Sequence, residues 1–178
     1  MEYCIENEYL KLTVTTWGAQ VKSVVRKCDN VEHIWQADKS VWGYHAPILF
    51  PHAGKVVDGK IEAKGKIYES SQHGFARLME HAFVDQTADT IVLELCSNEE
   101  TLAKFPYEFR LVSTFTLEGD TVHHTLTVEN LTQRSCPSAL ATILHSPFPS
   151  MTSMWPPTTS CGSPRWNLPS ASPTCPPV

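Results

Sequence analysis

The sequence predicts an all-β protein, an antiparallel β-sandwich, and three observations carry this prediction. Short runs of alternating apolar and polar residues follow one another through the first two thirds of the chain. Turns that contain glycine or aspartate separate these runs at regular spacing, which is typical of sandwiches and barrels. No run is followed by a helical crossover or by a glycine-rich phosphate loop. A doubly wound α/β fold is therefore disfavoured.

The first predicted strands lie at residues 9–15 and 20–26, where apolar and polar side chains alternate. The triplet Trp17-Gly18-Ala19 interrupts this alternation and is expected to turn the chain. After a polar turn at residues 28–30, a further short strand is predicted at residues 33–35.

The next predicted element is a tight hairpin made of residues 60–63 and 66–69. Lys64-Gly65 joins these two runs, and two-residue turns that end in glycine are typical of hairpins. Such a hairpin would carry residues 72–77 to one end of a sheet.

The region that follows is predicted to contain, in order, a hairpin of residues 81–86 and 90–96, a short helix at 98–104, and a long hairpin of residues 107–117 and 121–129. Pro106 ends the helix because proline lacks the amide proton that a helix needs. Gly119 and Asp120 supply the turn of the long hairpin.

Composition excludes several classes of function. The net charge of -5 and the pI near 5.9 argue against nucleic acid as a partner, because no basic surface is available for phosphates. The chain opens with charged residues and without an apolar segment, so we expect neither a signal peptide nor a membrane span, and a cytoplasmic location. The six cysteines contain no CxxC pair, and free thiols are expected rather than a zinc site or a disulfide scaffold.

The chemistry of the sequence changes after Asn130. No acidic residue follows Glu129, and ten of the thirteen prolines lie beyond this point. We therefore divide the chain into residues 1–130, a β-sandwich part, and residues 131–178, a Pro/Ser-rich tail that is expected to be disordered. The tail is either a genuine low-complexity segment or a stretch translated out of frame. We favour the second explanation, since a shifted frame can restore acidic residues, alternation and a Gly-Tyr-His-Pro turn.

Residues 46–77 contain the candidate site, because histidines, cations, glycine turns and aromatics converge there. His73 and Arg77 are expected to face one cleft, with Gly74 allowing a ligand to approach the backbone closely. In the ordinary alternative, His73 is a surface histidine and Arg77 pairs with Glu80 or Asp85. A metal site at His45 and His52 is not expected, because their spacing matches no ligand motif.

Five segments, TWGAQVKSV, WQAD, PILFPHAGKVVDGK, QHGFAR and FPYEFRLVSTFTLEGDTV, resemble the aldose 1-epimerase (galactose mutarotase-like) family and its LacX-like branch. The resemblance covers residues 1–130. It implies a large antiparallel β-sandwich whose concave face binds a sugar and interconverts its α and β anomers, without a metal or organic cofactor. The implied partner is a small-molecule aldohexose or its phosphate, and neither nucleic acid nor membrane is implied.

The resemblance also implies roles for individual residues. His73 matches the family's first active-site histidine, which contacts the sugar near its ring oxygen. Arg77 matches an arginine that can hold sugar hydroxyls, and Lys55 follows Phe-Pro-x-x-Gly where a basic residue is usual. Apart from the resemblance, Trp42 is a candidate for stacking on the sugar because it lies beside residues 46–77, although a core position is the commoner role for such a tryptophan.

Two parts of the family pattern are missing. The family's general-acid histidine belongs to the stretch that here spans residues 140–147, and its role is not assigned to His145. The family's general-base glutamate lies further toward a C-terminus than this chain reaches. We therefore expect the front half of an epimerase-like protein, truncated and without mutarotase activity. The alternatives are a non-catalytic carbohydrate-binding β-sandwich and a truncated product without function, whose open sheet edges would favour aggregation.

Overall fold

The computed structural model describes residues 1–132 and 135–144 in full and the backbone of residues 165–167. The elements in chain order are β1 (Glu2–Glu6), β2 (Leu10–Thr15), β3 (Gln20–Arg26), β4 (Val31–Glu32), β5 (Ile48–Leu49), β6 (Lys60–Ala63), β7 (Lys66–Glu69), β8 (Ala82–Gln86), β9 (Thr90–Cys96), α1 (Glu99–Lys104), β10 (Phe109–Glu118), β11 (Thr121–Asn130), β12 (Ala141–Thr142) and β13 (Arg165–Asn167). Two 3-10 turns lie at Val57–Gly59 and Ala76–Leu78.

Two antiparallel sheets enclose the core, which confirms the predicted β-sandwich. One sheet has the strand order β1-β2-β3-β4, and the other has the order β13-β11-β10-β9-β8. Both sheets contribute to one apolar cluster, to which the first gives Leu10 and Leu12 and the second gives Leu93 and Phe109. Because each of these side chains is almost fully buried, their removal from water is the main stabilising term of the fold.

Strands β10 and β11 form the long hairpin that the alternating pattern predicts. Every second residue of β10, beginning at Phe109, is buried, and Glu118 pairs with Thr121 across the turn. Gly119 adopts a φ of 57° there, a conformation that glycine reaches without steric cost. The short hairpin of β6 and β7 is likewise confirmed, with Ala63 opposite Lys66.

The predicted helix is confirmed, and its start is set by side chains. Asn98 accepts a hydrogen bond from the Thr101 amide at 3.0 Å, while the Thr101 hydroxyl accepts one from the Asn98 amide at 2.8 Å. These reciprocal bonds occupy two amide groups that have no partner within the helix.

The strand predicted at residues 33–35 is wrong, because β4 covers Val31–Glu32 instead. The reason is the side chain of Glu32, whose Oε1 accepts hydrogen bonds from the amides of Val24 at 2.9 Å and Ile34 at 2.8 Å. The His33 amide still donates to the Val24 carbonyl at 2.9 Å, but the carboxylate occupies the amides of Val24 and Ile34, and the strand is not continued beyond Glu32. Periodicity alone cannot reveal this contact.

Part of the region after residue 130 is described. Ala141 and Thr142 pair with Leu49 and Ile48, and the Ala139 amide donates to the Pro51 carbonyl at 2.8 Å. The boundary at residue 130 and the out-of-frame origin stay predictions. The expected disorder falls largely on residues outside those described, as does His145.

Two further expectations concern membranes and thiols. No helix in the described ranges is long and apolar enough to cross a membrane. Cys4, Cys96 and Cys136 are free thiols, whereas Cys28 is disulfide-bonded. The expectation of free thiols is therefore wrong at Cys28.

Candidate functional site

The site is built where the loop after β5 meets the loop after β7. The Phe50 carbonyl accepts hydrogen bonds from the amides of Phe75 at 3.0 Å and Ala76 at 3.2 Å. Gly74 belongs to the loop after β7 and has a φ of 70°, and a Cβ atom at this position would stand 2.1 Å from the Phe50 oxygen. Only glycine permits this contact, which brings the two loops together.

Gly54 holds both the backbone and the ring of His73. The His73 amide donates to the Gly54 carbonyl at 2.8 Å, and the Gly54 amide donates to His73 Nδ1 at 2.9 Å. Since an amide N–H can only donate, Nδ1 must be unprotonated. The neutral ring therefore carries its proton on Nε2, so His73 offers an N–H donor there.

Electrostatics keep His73 neutral. Its pKa lies below the usual value for histidine because burial disfavours the imidazolium, with further lowering by the charges of Arg77 and His52. Burial also lowers the pKa of His52, whose Nε2 lies 2.6 Å from the Ser70 hydroxyl. The site thus presents a neutral imidazole near a permanent cation.

Arg77 lies in the 3-10 turn Ala76–Leu78, and two contacts hold its guanidinium group in place. Its Nη2 donates to the Gln72 carbonyl at 3.1 Å, and its Cζ lies 4.9 Å from the centroid of the Tyr44 ring. This distance is within the range of a cation–π interaction. Arg77 makes no ion pair with Glu80, whose carboxylate contacts the Thr16 hydroxyl and the N-terminus.

The other alternative for Arg77, a pair with Asp85, is also absent among the described ion pairs. The guanidinium is therefore not neutralised by a carboxylate from this part of the chain. Among the described residues, its only hydrogen bond is the one to Gln72, and its Nε is buried without a partner.

Trp42 joins the site through Tyr44. The two rings are 5.8 Å apart with an interplanar angle of 51°, and Trp42 is half-buried. The order of contacts is therefore Trp42, Tyr44 and Arg77. Tyr44 was missed by sequence reasoning, and the only signal for it is its position two residues after Trp42.

Lys55 follows Gly54 directly, so its backbone adjoins His73. The side chain is exposed, and its ammonium has no hydrogen bond or ion pair to the described residues. The four candidates are thus brought together unequally: His73, Arg77 and Trp42 belong to one connected group, whereas Lys55 is linked to it by the chain alone.

A pocket of about 170 Å³ lies beside His52. Its walls include Pro51, Ile61, Phe105 and Tyr107 and are mostly apolar, and neither His73 nor Arg77 lines it. This pocket is therefore separate from the surface that those two side chains share.

The other histidines of the region have individual polar contacts. His45 Nδ1 lies 2.9 Å from the Trp35 carbonyl, whereas His52 contacts the Ser70 hydroxyl. The two imidazoles therefore have different partners. Among the described residues, no group of three His, Cys, Asp or Glu side chains could hold a metal ion.

A family model described as aldose 1-epimerase matches residues 1–152. The plasmid-encoded protein LacX of Lactococcus lactis subsp. lactis is 31% identical over an alignment of 144 residues, with coverage of 75% of this chain and 46% of the relative. The chromosomal LacX of the same organism matches to the same extent. The chain thus spans about half the length of the curated relatives it matches.

Two solved structures are similar in fold and sequence. A galactose mutarotase related enzyme from Lactobacillus acidophilus has a TM-score of 0.82 and 30% identity, with coverage of 86% of this chain and 51% of the other. A galactose mutarotase-like protein from Lactobacillus casei has a TM-score of 0.77 and 37% identity, with coverage of 80% and 48%. Both matches agree with the two antiparallel sheets described above.

Proposed function

Because this chain belongs to the aldose 1-epimerase family, we propose that the surface shared by His73 and Arg77 binds an aldohexose or its phosphate. The activity to which this binding belongs is the interconversion of α and β anomers by ring opening. One observation carries the proposal: the Gly54 amide fixes His73 as an N–H donor at Nε2, near a guanidinium that pairs with no carboxylate of the described residues.

The reaction needs two proton transfers. A general base removes the proton of the anomeric hydroxyl, and a general acid protonates the ring oxygen as its bond to C1 breaks. C1–C2 then rotates, and closure on the other carbonyl face gives the other anomer. In this proposal, His73 Nε2–H donates a hydrogen bond to the ring oxygen, while the proton that this oxygen gains comes from a separate general acid. Arg77 holds neighbouring hydroxyls with its forked donors, and the Trp42 ring supplies an apolar face for the sugar.

The base for this reaction is not among the described residues near His73. The charged groups that act on His73 are Arg77 and His52, without a carboxylate. The described part of the chain thus supplies a hydrogen-bond donor for the ring oxygen but neither a general acid nor a general base, and we expect negligible mutarotation from this chain.

The relatives support the sugar class. A galactose mutarotase related enzyme and a galactose mutarotase-like protein, from two Lactobacillus species, share the fold at 30% and 37% identity. We further propose that the protein is cytoplasmic. Its partner in this proposal is the sugar or sugar phosphate, and it binds neither nucleic acid nor a membrane.

Sugar titration of the 15N-labelled chain tests the binding. Galactose, glucose and glucose 6-phosphate are added in turn, and the amide signals of Gly54 and His73 are followed by NMR. We expect at least one sugar to shift both signals, and His73→Ala and Arg77→Met to abolish the shifts. The control is Lys60→Met, an exposed change outside the site. Absence of any shift with all three sugars would contradict the proposed site.

Polarimetry of freshly dissolved α-galactose and α-glucose tests the catalytic part. We expect the optical rotation to change at the spontaneous rate. An accelerated rate that is lost in His73→Ala would contradict the expected inactivity and would require a base within the chain. A non-catalytic carbohydrate-binding sandwich is the second candidate, favoured by the missing carboxylate; binding without acceleration is its signature.

A further inference from the structure

Gln72 lies between the two side chains of the candidate site and contacts both. Its backbone carbonyl accepts the hydrogen bond from Arg77 Nη2 at 3.1 Å. Its terminal amide nitrogen lies 3.2 Å from His73 Nε2. The side chain is exposed, so no packing requirement explains why the amide lies against the imidazole.

The proton positions decide which amide atom faces the ring. The Gly54 amide already donates to Nδ1, so the neutral imidazole has its proton on Nε2. An amide NH₂ is also a donor, and two donors cannot form a hydrogen bond. Rotation of the terminal amide by half a turn replaces the nitrogen with the carbonyl oxygen, and the two atoms are hard to distinguish by shape.

We propose that Gln72 is a positioning residue for His73, whose amide oxygen accepts the Nε2 proton and fixes the ring as a donor. The same residue orients Arg77 through its backbone carbonyl. One residue thereby sets the relative placement of the imidazole and the guanidinium. Neither contact requires a ligand, so the arrangement is organised before a sugar binds.

The consequence for sugar recognition rests on the function proposed above. A sugar oxygen that accepts the Nε2 proton must displace the Gln72 oxygen. The amide NH₂ of Gln72 can then donate to an adjacent hydroxyl, so the side chain exchanges one hydrogen bond for another. Gln72 would in this way contribute to affinity as well as to the placement of His73.

NMR of the histidine side chains in the full, sugar-free chain tests the positioning role. Long-range 1H–15N spectra report the tautomer of His73 and the exchange of its Nε2 proton with water. We expect the Nε2–H tautomer in the parent chain and, in Gln72→Ala, faster exchange by roughly three- to tenfold, as loss of one hydrogen bond implies. Identical His73 spectra and exchange in both chains would overturn the proposal.

Gln72→Glu is the second variant, because it keeps the shape and replaces the amide with an acceptor of negative charge. We expect it to retain slow exchange at Nε2 and to raise the pKa of His73, while Arg77 and His52, the other charged or titratable groups facing the ring, are unchanged. An unchanged His73 pKa in Gln72→Glu would overturn the proposal. The matched control is Gln86→Ala, whose amide instead contacts the Cys4 carbonyl.

The sugar arm distinguishes the two proposals. If the spectra without sugar change as expected but no sugar binds, Gln72 positions His73 and the proposed function fails. If the sugar-free His73 spectra and exchange are identical in the parent chain and Gln72→Ala while sugar binds to both, the positioning role fails and the proposed function stands.

Discussion

At the scale of single residues, Gly74 is the position on which the site depends most directly. Gly74→Ala would place a Cβ atom 2.1 Å from the Phe50 oxygen at a φ of 70°. We expect a loss of unfolding free energy of several kcal/mol, about 3 or more, because backbone must move and φ is strained. Urea unfolding measures this loss.

Gly119→Ala is the matched control, since its φ is also positive at 57° but nothing lies within 4 Å of the added Cβ. Gly119→Ala should lower the unfolding free energy by only about 1 kcal/mol, which is the cost of holding a residue with a Cβ atom at positive φ. Equal losses in the two variants would show that the contact with Phe50 contributes nothing.

His124 sets a pH dependence of stability. It is buried, its ring stacks on Phe115 with centroids 4.2 Å apart, and its Nε2 has no hydrogen-bond partner. Burial lowers its pKa from 6.5 to about 3, so the folded state resists protonation that the unfolded state accepts. Its contribution is therefore complete above pH 6.5 and decreases as the pH falls toward 3.

We expect His124→Leu to reduce the dependence of the unfolding free energy on pH between 6.5 and 4, measured by urea unfolding at several pH values. Below about pH 4, carboxylates with lowered pKa values, such as Asp29 and Asp89, add their own dependence. His123→Ala is the control, because His123 lies on the opposite face of β11 and contacts the exposed Glu118. A slope unchanged by His124→Leu would contradict the assignment.

Residue types reveal only part of the candidate site. His73 and Arg77 were predicted because a glycine, an imidazole and a guanidinium occur within five positions. Tyr44 and Gln72 were missed. Tyr44 contacts Arg77 only because two loops approach each other, and the role of Gln72 depends on which nitrogen of His73 carries the proton. Neither fact is encoded in local spacing.

At the scale of elements, the start of α1 offers a direct test of local sequence control. Asn98→Ala removes the acceptor for the Thr101 amide and should lower the unfolding free energy by about 1 kcal/mol. Lys104→Met removes an exposed pair with Glu100 and should cost only a few tenths of a kcal/mol. Thermal unfolding distinguishes the two, and equal shifts would mean that the cap is not formed.

The elements that the sequence predicted share one property, which is that their pattern is local. The hairpins β6–β7 and β10–β11 combine alternation with a glycine turn, and the helix has a cap and a proline after its end. β5 and β12 consist of two residues each and exist through pairing with each other. A two-residue strand has no periodicity to detect, so such elements need the tertiary structure.

At the scale of the whole molecule, the sandwich could be predicted because its two sheets are made mainly of neighbours in sequence. The order β1-β2-β3-β4 is a meander, and β8, β9, β10 and β11 follow one another across the second sheet. The candidate site, by contrast, needs three segments, around residues 42–44, 50–55 and 72–77, whose contacts lie outside any strand ladder. This difference explains why the fold class was predicted more completely than the geometry of the site.

The contribution of residues 135–144 to the whole molecule leads to a final prediction. They cover the edge of β5 through Ala141 and Thr142, and Leu140 and Leu144 pack against the core. A chain that ends at residue 130 should therefore be less stable than one that ends at residue 144, by about 2 kcal/mol or more. Urea unfolding of the two shortened chains measures the difference. Equal stability would place the end of the folded part at residue 130. Lower stability of the shorter chain would show that the segment covering β5 helps to hold Phe50 and Gly74 in place, and through them His73.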